Sequence, residues 1–173
     1  MIDGMTIEVG IIGRDGFVGA PVILGADHSP NHAFMQIPGH GYTVNAKFLM
    51  DLALEAEQLR KALLRSVHGF IVQTQQTAAC NRVHDLHERL ARWLLMCSDR
   101  VQSNRVDITH EFLATMLGTR RSSVTVSAGT LEKAGLISHS RGHVTIENHQ
   151  GLVDAACECY EIVHAEFLRL GFL

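Results

Sequence analysis

The stretch from residue 106 to residue 146 constrains this chain most. Ile108 is followed by Thr109, whose hydroxyl suits a helix N-cap, and a short helix is expected through Met116. Gly118 interrupts it, because a residue without Cβ reaches the positive φ of a tight turn. Thr119 is placed to cap a second helix, which runs to Lys133 and stops at Gly135. Leu136-Ile137-Ser138 and Val144-Thr145-Ile146 then flank Ser140-Arg141-Gly142, a hairpin with glycine at its tip. Phe112, Leu113 and Leu117 bury the first helix. Val124, Ala128 and Leu131 form the inner face of the second. Its outer face shows Arg121, Ser122, Thr125 and Gly129, with Arg120 at the N-terminal end. Helix, tight turn, helix and hairpin make a winged helix-turn-helix, whose second helix is shaped for a major groove.

The rest of the chain divides around this unit. All three prolines, Pro21, Pro30 and Pro38, precede Asn45. In this stretch residues 6–12, 33–37 and 42–44 read as short strands, residues 17 and 18 open a further extended piece, and Gly13-Arg14-Asp15-Gly16 reads as a turn. Such a set is too small to close its own core. From Asn45, a plausible N-cap, to Ser98 there is no proline, and Gly69 is the only glycine. Leu63, Val67, Phe70, Thr74 and Thr77 follow a coiled-coil rhythm and suggest a two-helix seam between copies, the alternative being a helix packed on its own domain's core. A second helix is expected over residues 80–97 and a C-terminal one over 150–170. The expected division is residues 1–45, a truncated β-roll; 46–99, a helical dimerisation region; and 100–173, the winged helix-turn-helix with its C-terminal helix. The fold class is α+β.

Charge and chemistry narrow the function classes. The net charge is −3, so no global basic field favours nucleic acid. From residue 100 to 148, however, Arg100, Arg105, Arg120, Arg121, Lys133 and Arg141 stand against only Asp107, Glu111, Glu132 and Glu147. No apolar run is long enough to cross a membrane. The four cysteines, Cys80, Cys97, Cys157 and Cys159, are too sparse for a disulfide framework. With no signal-peptide pattern in the first residues, a reduced cytoplasmic protein is expected. No cofactor or metal is expected either. His84 and His87 offer only two ligands, and Cys157 and Cys159, two apart on a helix, would face opposite ways. Cys80 and His84 lie one helical turn apart, as nucleophile and base could, but nothing supplies an oxyanion hole or third group, so no enzyme is expected.

The order of these parts resembles the Crp/Fnr family of bacterial transcription regulators. The resemblance is carried by Ile108-Thr109-His110-Glu111-Phe112-Leu113-Ala114-Thr115-Met116-Leu117-Gly118-Thr119-Arg120-Arg121-Ser122-Ser123-Val124 and by Ala134-Gly135-Leu136-Ile137. Gly10-Ile11-Ile12-Gly13-Arg14-Asp15-Gly16-Phe17-Val18-Gly19 looks like the later strands of the family's sensor roll. The resemblance implies a homodimer through the long helix, at Leu63, Val67, Phe70 and Thr74, reading a palindromic operator on double-stranded DNA. RNA polymerase is implied as a further partner. Arg121, Ser122 and Val126 fall where the family reads base edges, and Thr109 and His110 where it touches the backbone. Arg120, Ser123, Thr125, Arg141 and His143 complete the expected DNA surface. Ser122 and Val126 depart from the commonest acid and second arginine, which implies a different operator. Cyclic-nucleotide-binding members carry a Gly-Glu pair and an arginine; here stand Gly19-Ala20 and Pro30, Asn31 and His32, so a cyclic nucleotide loses its two anchors. The alternative reading is a helical module that binds no DNA and sequesters related regulators.

Overall fold

A computed structural model describes residues 6–14 and 16–173. Eight helices and one small sheet are present among them: α1 (Ala20–Ile23), α2 (Ala46–Glu55), α3 (Glu57–Val83), α4 (Leu86–Val101), β1 (Arg105–Val106), α5 (His110–Met116), α6 (Arg121–Lys133), β2 (Ile137–Ser140), β3 (His143–Ile146), α7 (His149–Ala155) and α8 (Cys159–Leu170). The α+β class holds, and the sheet has the antiparallel order β1-β3-β2. Ile137 pairs with Ile146 and Ser140 with His143, so the hairpin closes at Arg141-Gly142, where Gly142 has φ 87°. β1 adds Val106 opposite Val144, an edge the sequence did not advertise.

Capping chemistry sets the helix starts. Asn45 accepts a hydrogen bond from Phe48 N at 3.1 Å and opens α2. Ala56, in an extended conformation, separates α2 from α3. The second helix was expected from residue 80, yet Cys80 still belongs to α3, and α4 begins six residues later. The reason is a capping box: Asp85 accepts from the backbone of Glu88, whose carboxylate accepts from Asp85 N at 2.8 Å. The expected C-terminal helix is likewise two, α7 and α8, broken at residues 156–158.

One core joins α4 to the winged unit. Leu90, Trp93, Leu94 and Cys97 of α4 pack with Leu113, Val124, Ala128, Leu131, Ile137, Val144 and Ile146. α8 crosses α3 at Gly69, where a Cβ would meet Phe167 at 3.3 Å and Leu170 at 3.4 Å, so the absent side chain lets the helices approach. Leu63 and Val67 are buried against the chain itself, and Phe70 and Thr74 are half-buried. The Phe70 ring reaches Gly10, and the Thr74 hydroxyl donates to Phe70 O at 2.9 Å. The seam expected between copies is therefore turned inward. The apolar residues of α8 and of residues 10–17 need a partner, and this face of α3 supplies it.

The expected strands at 6–12, 17–18, 33–37 and 42–44 form no ladder among the described residues. The turn at Gly13 does close, with Gly16 N donating to Gly13 O at 3.2 Å, while Asp15 lies outside the described residues. Instead of pairing with strands, residues 7–11 thread across the helices. Glu8 N donates to Met116 O, and the Glu8 carboxylate accepts from Trp93 Nε1 at 3.1 Å and Gln36 Nε2 at 2.7 Å. Gln73 Nε2 and Arg100 Nε both donate to Ile11 O. Side chains of α3 and α4 thus satisfy backbone groups that a sheet neighbour would otherwise take.

Candidate nucleic-acid interface

α5 and α6 are set by their ends. Thr109 accepts from Phe112 N at 3.2 Å and starts α5, as its position suggested. Gly118 has φ 62° and makes the turn. Arg120, not Thr119, is the N-cap of α6, and its side chain makes no cap hydrogen bond. That leaves the first N–H groups of α6 and its positive dipole end facing outward. Gly135 (φ 70°) ends the helix, with Leu136 N donating to Leu131 O at 3.0 Å.

With Val124, Ala128 and Leu131 buried, α6 turns Arg121, Ser122, Thr125 and Val126 outward, and Val126 is 71% exposed. Ser123 is half-buried beside them. Arg120 is exposed at the head of the helix and Arg141 at the tip of the wing. The outward residues are polar, small or basic, and no apolar side chain other than Val126 breaks the surface. Arg121 Nε stands 3.8 Å from Glu111, an exposed pair weak enough to exchange its carboxylate for another anion.

His110 is not simply a surface contact. Thr125 donates its hydroxyl to Arg121 O at 3.0 Å, so at the 3.2 Å contact between the two side chains His110 Nδ1 is the donor. Nε2 is buried without a partner. Burial, and then the neighbouring His139 and Arg121, hold the His110 pKa below its ordinary 6.5. The ring lies 5.1 Å from that of His139, which pairs with Glu132 at 3.0 Å. His143 Nε2 meets Ser140 Oγ at 2.8 Å near the wing tip. Thr109 is exposed, but its oxygen already serves the cap.

The expectation that Cys157 and Cys159 face opposite ways is corrected by the fold. One ligand atom from each of Cys80, His84, Cys157 and Cys159 lies within 4.8 Å of every other. Cys157 sits in the break before α8 rather than inside a helix, so it and Cys159 do not obey helical geometry and both point inward. Only the break at residues 156–158 could have revealed this, and the sequence around it carries no proline or glycine.

Residues 88–155 match the Crp-like helix-turn-helix domain. Over 154 residues the chain is 25% identical to the global nitrogen regulator of Synechococcus elongatus, covering 84% of this chain and 69% of that protein. FixK2 from Bradyrhizobium japonicum superposes with a TM-score of 0.59 at 17% identity, covering 66% of this chain and 60% of the other. A Crp/Fnr-family transcriptional regulator from Thermus thermophilus gives 0.53 at 23% identity, over 58% and 55%. At these identities the two solved structures speak for the fold alone. The chain spans between half and three fifths of the length of such solved relatives.

Proposed function

We propose that this chain, whose residues 88–155 match the Crp-like helix-turn-helix domain, is a regulator of the Crp/Fnr type that reads an operator as a homodimer, with α6 in the major groove and the wing on the backbone. The observation that carries this is the outward face of α6, where Arg121, Ser122, Thr125 and Val126 lie beside Arg120, with Arg141 on the neighbouring hairpin. Arg121 is the candidate for a guanine edge, which a guanidinium meets with two hydrogen bonds. Arg120, Arg141, His143 and Ser123 are assigned to phosphates, and Thr109 and His110 to the flank of α5. A single module making few phosphate contacts binds weakly, which favours two copies on a palindrome with half-sites roughly 34 Å apart.

The second copy has a face available. Leu64, Ile71 and Ala78 are spaced seven apart on the outward side of α3 and are all exposed. That is the spacing of a coiled-coil stripe. On this reading the dimer uses the flank of α3 roughly a quarter-turn round from the buried face of Leu63 and Val67. Residues 6–45 act as a reduced sensor region. RNA polymerase contact and a cytoplasmic site of action belong to the same proposal. No helix is long and apolar enough to cross a membrane.

Selection of bound sequences from random duplex DNA, repeated over a range of salt, tests the proposal. Arg121→Ala is expected to cost about 1–3 kcal/mol and to relax one base position per half-site. Arg141→Ala is expected to weaken all sequences evenly and lower the salt slope by about one. Unchanged affinity in both variants would transfer the role to the sequestering module.

A further inference from the structure

We propose that Cys80, His84, Cys157 and Cys159 form a mononuclear, tetrahedral zinc-type site that staples the end of α3 to the start of α8. The donor set is three thiols and one imidazole, a composition of closed structural zinc sites. Its spacing supports this. Cys80 and His84 are one turn apart at the end of α3, with His84 N donating to Cys80 O at 3.1 Å. Cys157 comes from the α7–α8 break, and Cys159 is the first residue of α8. Cys80 Sγ lies 3.4 Å from Cys157 Sγ, and Cys159 Sγ 3.7 Å from His84 Nδ1. With metal–sulfur bonds near 2.3 Å, the edges of a tetrahedron are about 3.8 Å, so these atoms already stand at the separation a single ion requires. A multi-iron cluster would need its sulfurs much farther apart.

The surroundings fit a metal-thiolate centre. His84 Nδ1 faces the thiols while Nε2 lies 3.2 Å from Glu158 Oε2. The carboxylate holds the Nε2–H tautomer and leaves Nδ1 free to ligate, the support a metal-bound histidine ordinarily has. The three cysteines are buried, and the His84 side chain is 14% exposed, so all four positions are filled by protein and none faces a substrate. A divalent ion with three thiolates carries a net negative charge. Arg92 is 3% exposed, and its charge acts on Cys80 and Cys159. Its Nη1 reaches only Thr77 Oγ1 and Met96 Sδ, both at 3.4 Å, and its Nε has no partner. Arg89, whose charge acts on Cys80 and Cys157, also has an unpartnered buried Nε. Two under-satisfied guanidinium groups beside a site that becomes anionic on metal binding are the balancing charge it needs. Binding displaces the thiol protons to solvent and ties the long helix to the helices that follow the wing.

The test uses the reduced, metal-free full chain titrated with Co²⁺ alone, then with Zn²⁺, and needs no DNA. One equivalent of Co²⁺ is expected to give the intense visible bands of a tetrahedral centre with near-ultraviolet thiolate bands, which Zn²⁺ bleaches while raising the thermal midpoint. Cys157→Ser is expected to lose these bands. Because that variant also removes a buried thiol, His84→Cys is the control. It keeps four ligands and is expected to bind with the spectrum of a four-thiolate site. Glu158→Gln leaves the ligands in place and is expected to weaken the metal about 10–100-fold. Three results overturn the proposal: no tetrahedral bands in a chain that is folded by circular dichroism; iron recovered together with acid-labile sulfide; or a Cys80–Cys157 disulfide as the resting form of a chain that still takes no metal after reduction.

Discussion

Residues 6–45 and residues 86–146 carry comparable shares of apolar side chains, and the chain treats them in opposite ways. In the second region Leu90, Leu94, Leu113, Val124 and Ile137 are all buried in one core. In the first, Val9, Ile12, Phe34, Tyr42 and Val44 stay exposed. The difference lies in what each pattern needs. Helix caps and tight turns are satisfied within a few residues, whereas a strand needs a neighbour to take its N–H and C=O groups. Among the described residues the first region has no such neighbour, and its backbone is held by Gln73, Arg100 and Met116 at scattered points.

Paired truncations would test that contrast most severely. Leu94→Ala is expected to cost about 2–5 kcal/mol in urea unfolding, because the site is closed on all sides. Phe34→Ala, which loses a half-exposed ring edge-on to Phe112 at 6.1 Å, is expected to cost less than about 1 kcal/mol. Equal losses would mean that the first region is as firmly packed as the second. Gly118→Ala comes next. It forces a left-handed φ on a residue with Cβ and brings that carbon to 3.2 Å from Ile7, a combined cost of about 1–2 kcal/mol in thermal unfolding.

Caps come third. Thr109→Ala and Asn45→Ala each remove a side-chain acceptor, at about 1 kcal/mol if the helix they open is coupled to the core. α5 is so coupled, whereas α2 buries only Ala53. Global stability is therefore expected to feel Thr109→Ala, while hydrogen exchange confined to α2 reports Asn45→Ala. The smallest effect is one of pH. Burial raises the Glu8 pKa above 4.5, outweighing the hydrogen bonds from Gln36 and Trp93 and the nearby Arg92 and Arg100. The folded chain then binds the Glu8 proton more tightly than the unfolded one. Its stabilising contribution is present below pH 4.5 and is lost as pH rises through the raised value. Glu8→Gln is expected to remove that decline, seen as a flatter stability profile above pH 4.5, and an unchanged slope would place the carboxylate in water.

What could be read in advance follows the same division. Asn45, Thr109, Gly118, Gly135 and the Arg141-Gly142 tip announced themselves because each acts on its immediate backbone. The outward turn of Arg121, Ser122 and Thr125 was legible once Val124 and Ala128 fixed which face of α6 is inner, whereas Val126 entered only through the family resemblance. The inward turn of Leu63 and Val67 was not, since the 4-3 rhythm says that a face is apolar and not whether α8 or a second copy covers it. Asp85 and Glu88 did carry a readable signal, the capping box, which relocates the start of α4 and leaves His84 at the end of α3. The convergence of Cys80 with Cys157 spans 77 positions and depends on where two helices cross.

The contact between Glu8 and Trp93 has an optical consequence. Trp93 is the only tryptophan in the chain, and its indole N–H ends on a carboxylate from the N-terminal segment while its ring sits in the winged-helix core. The emission of this one fluorophore therefore looks at both regions at once. Release of residues 7–11 would replace a buried carboxylate partner with water and shift the colour of the light, without any label and without disturbing α6. The chain contains its own gauge of whether its two unlike parts are docked.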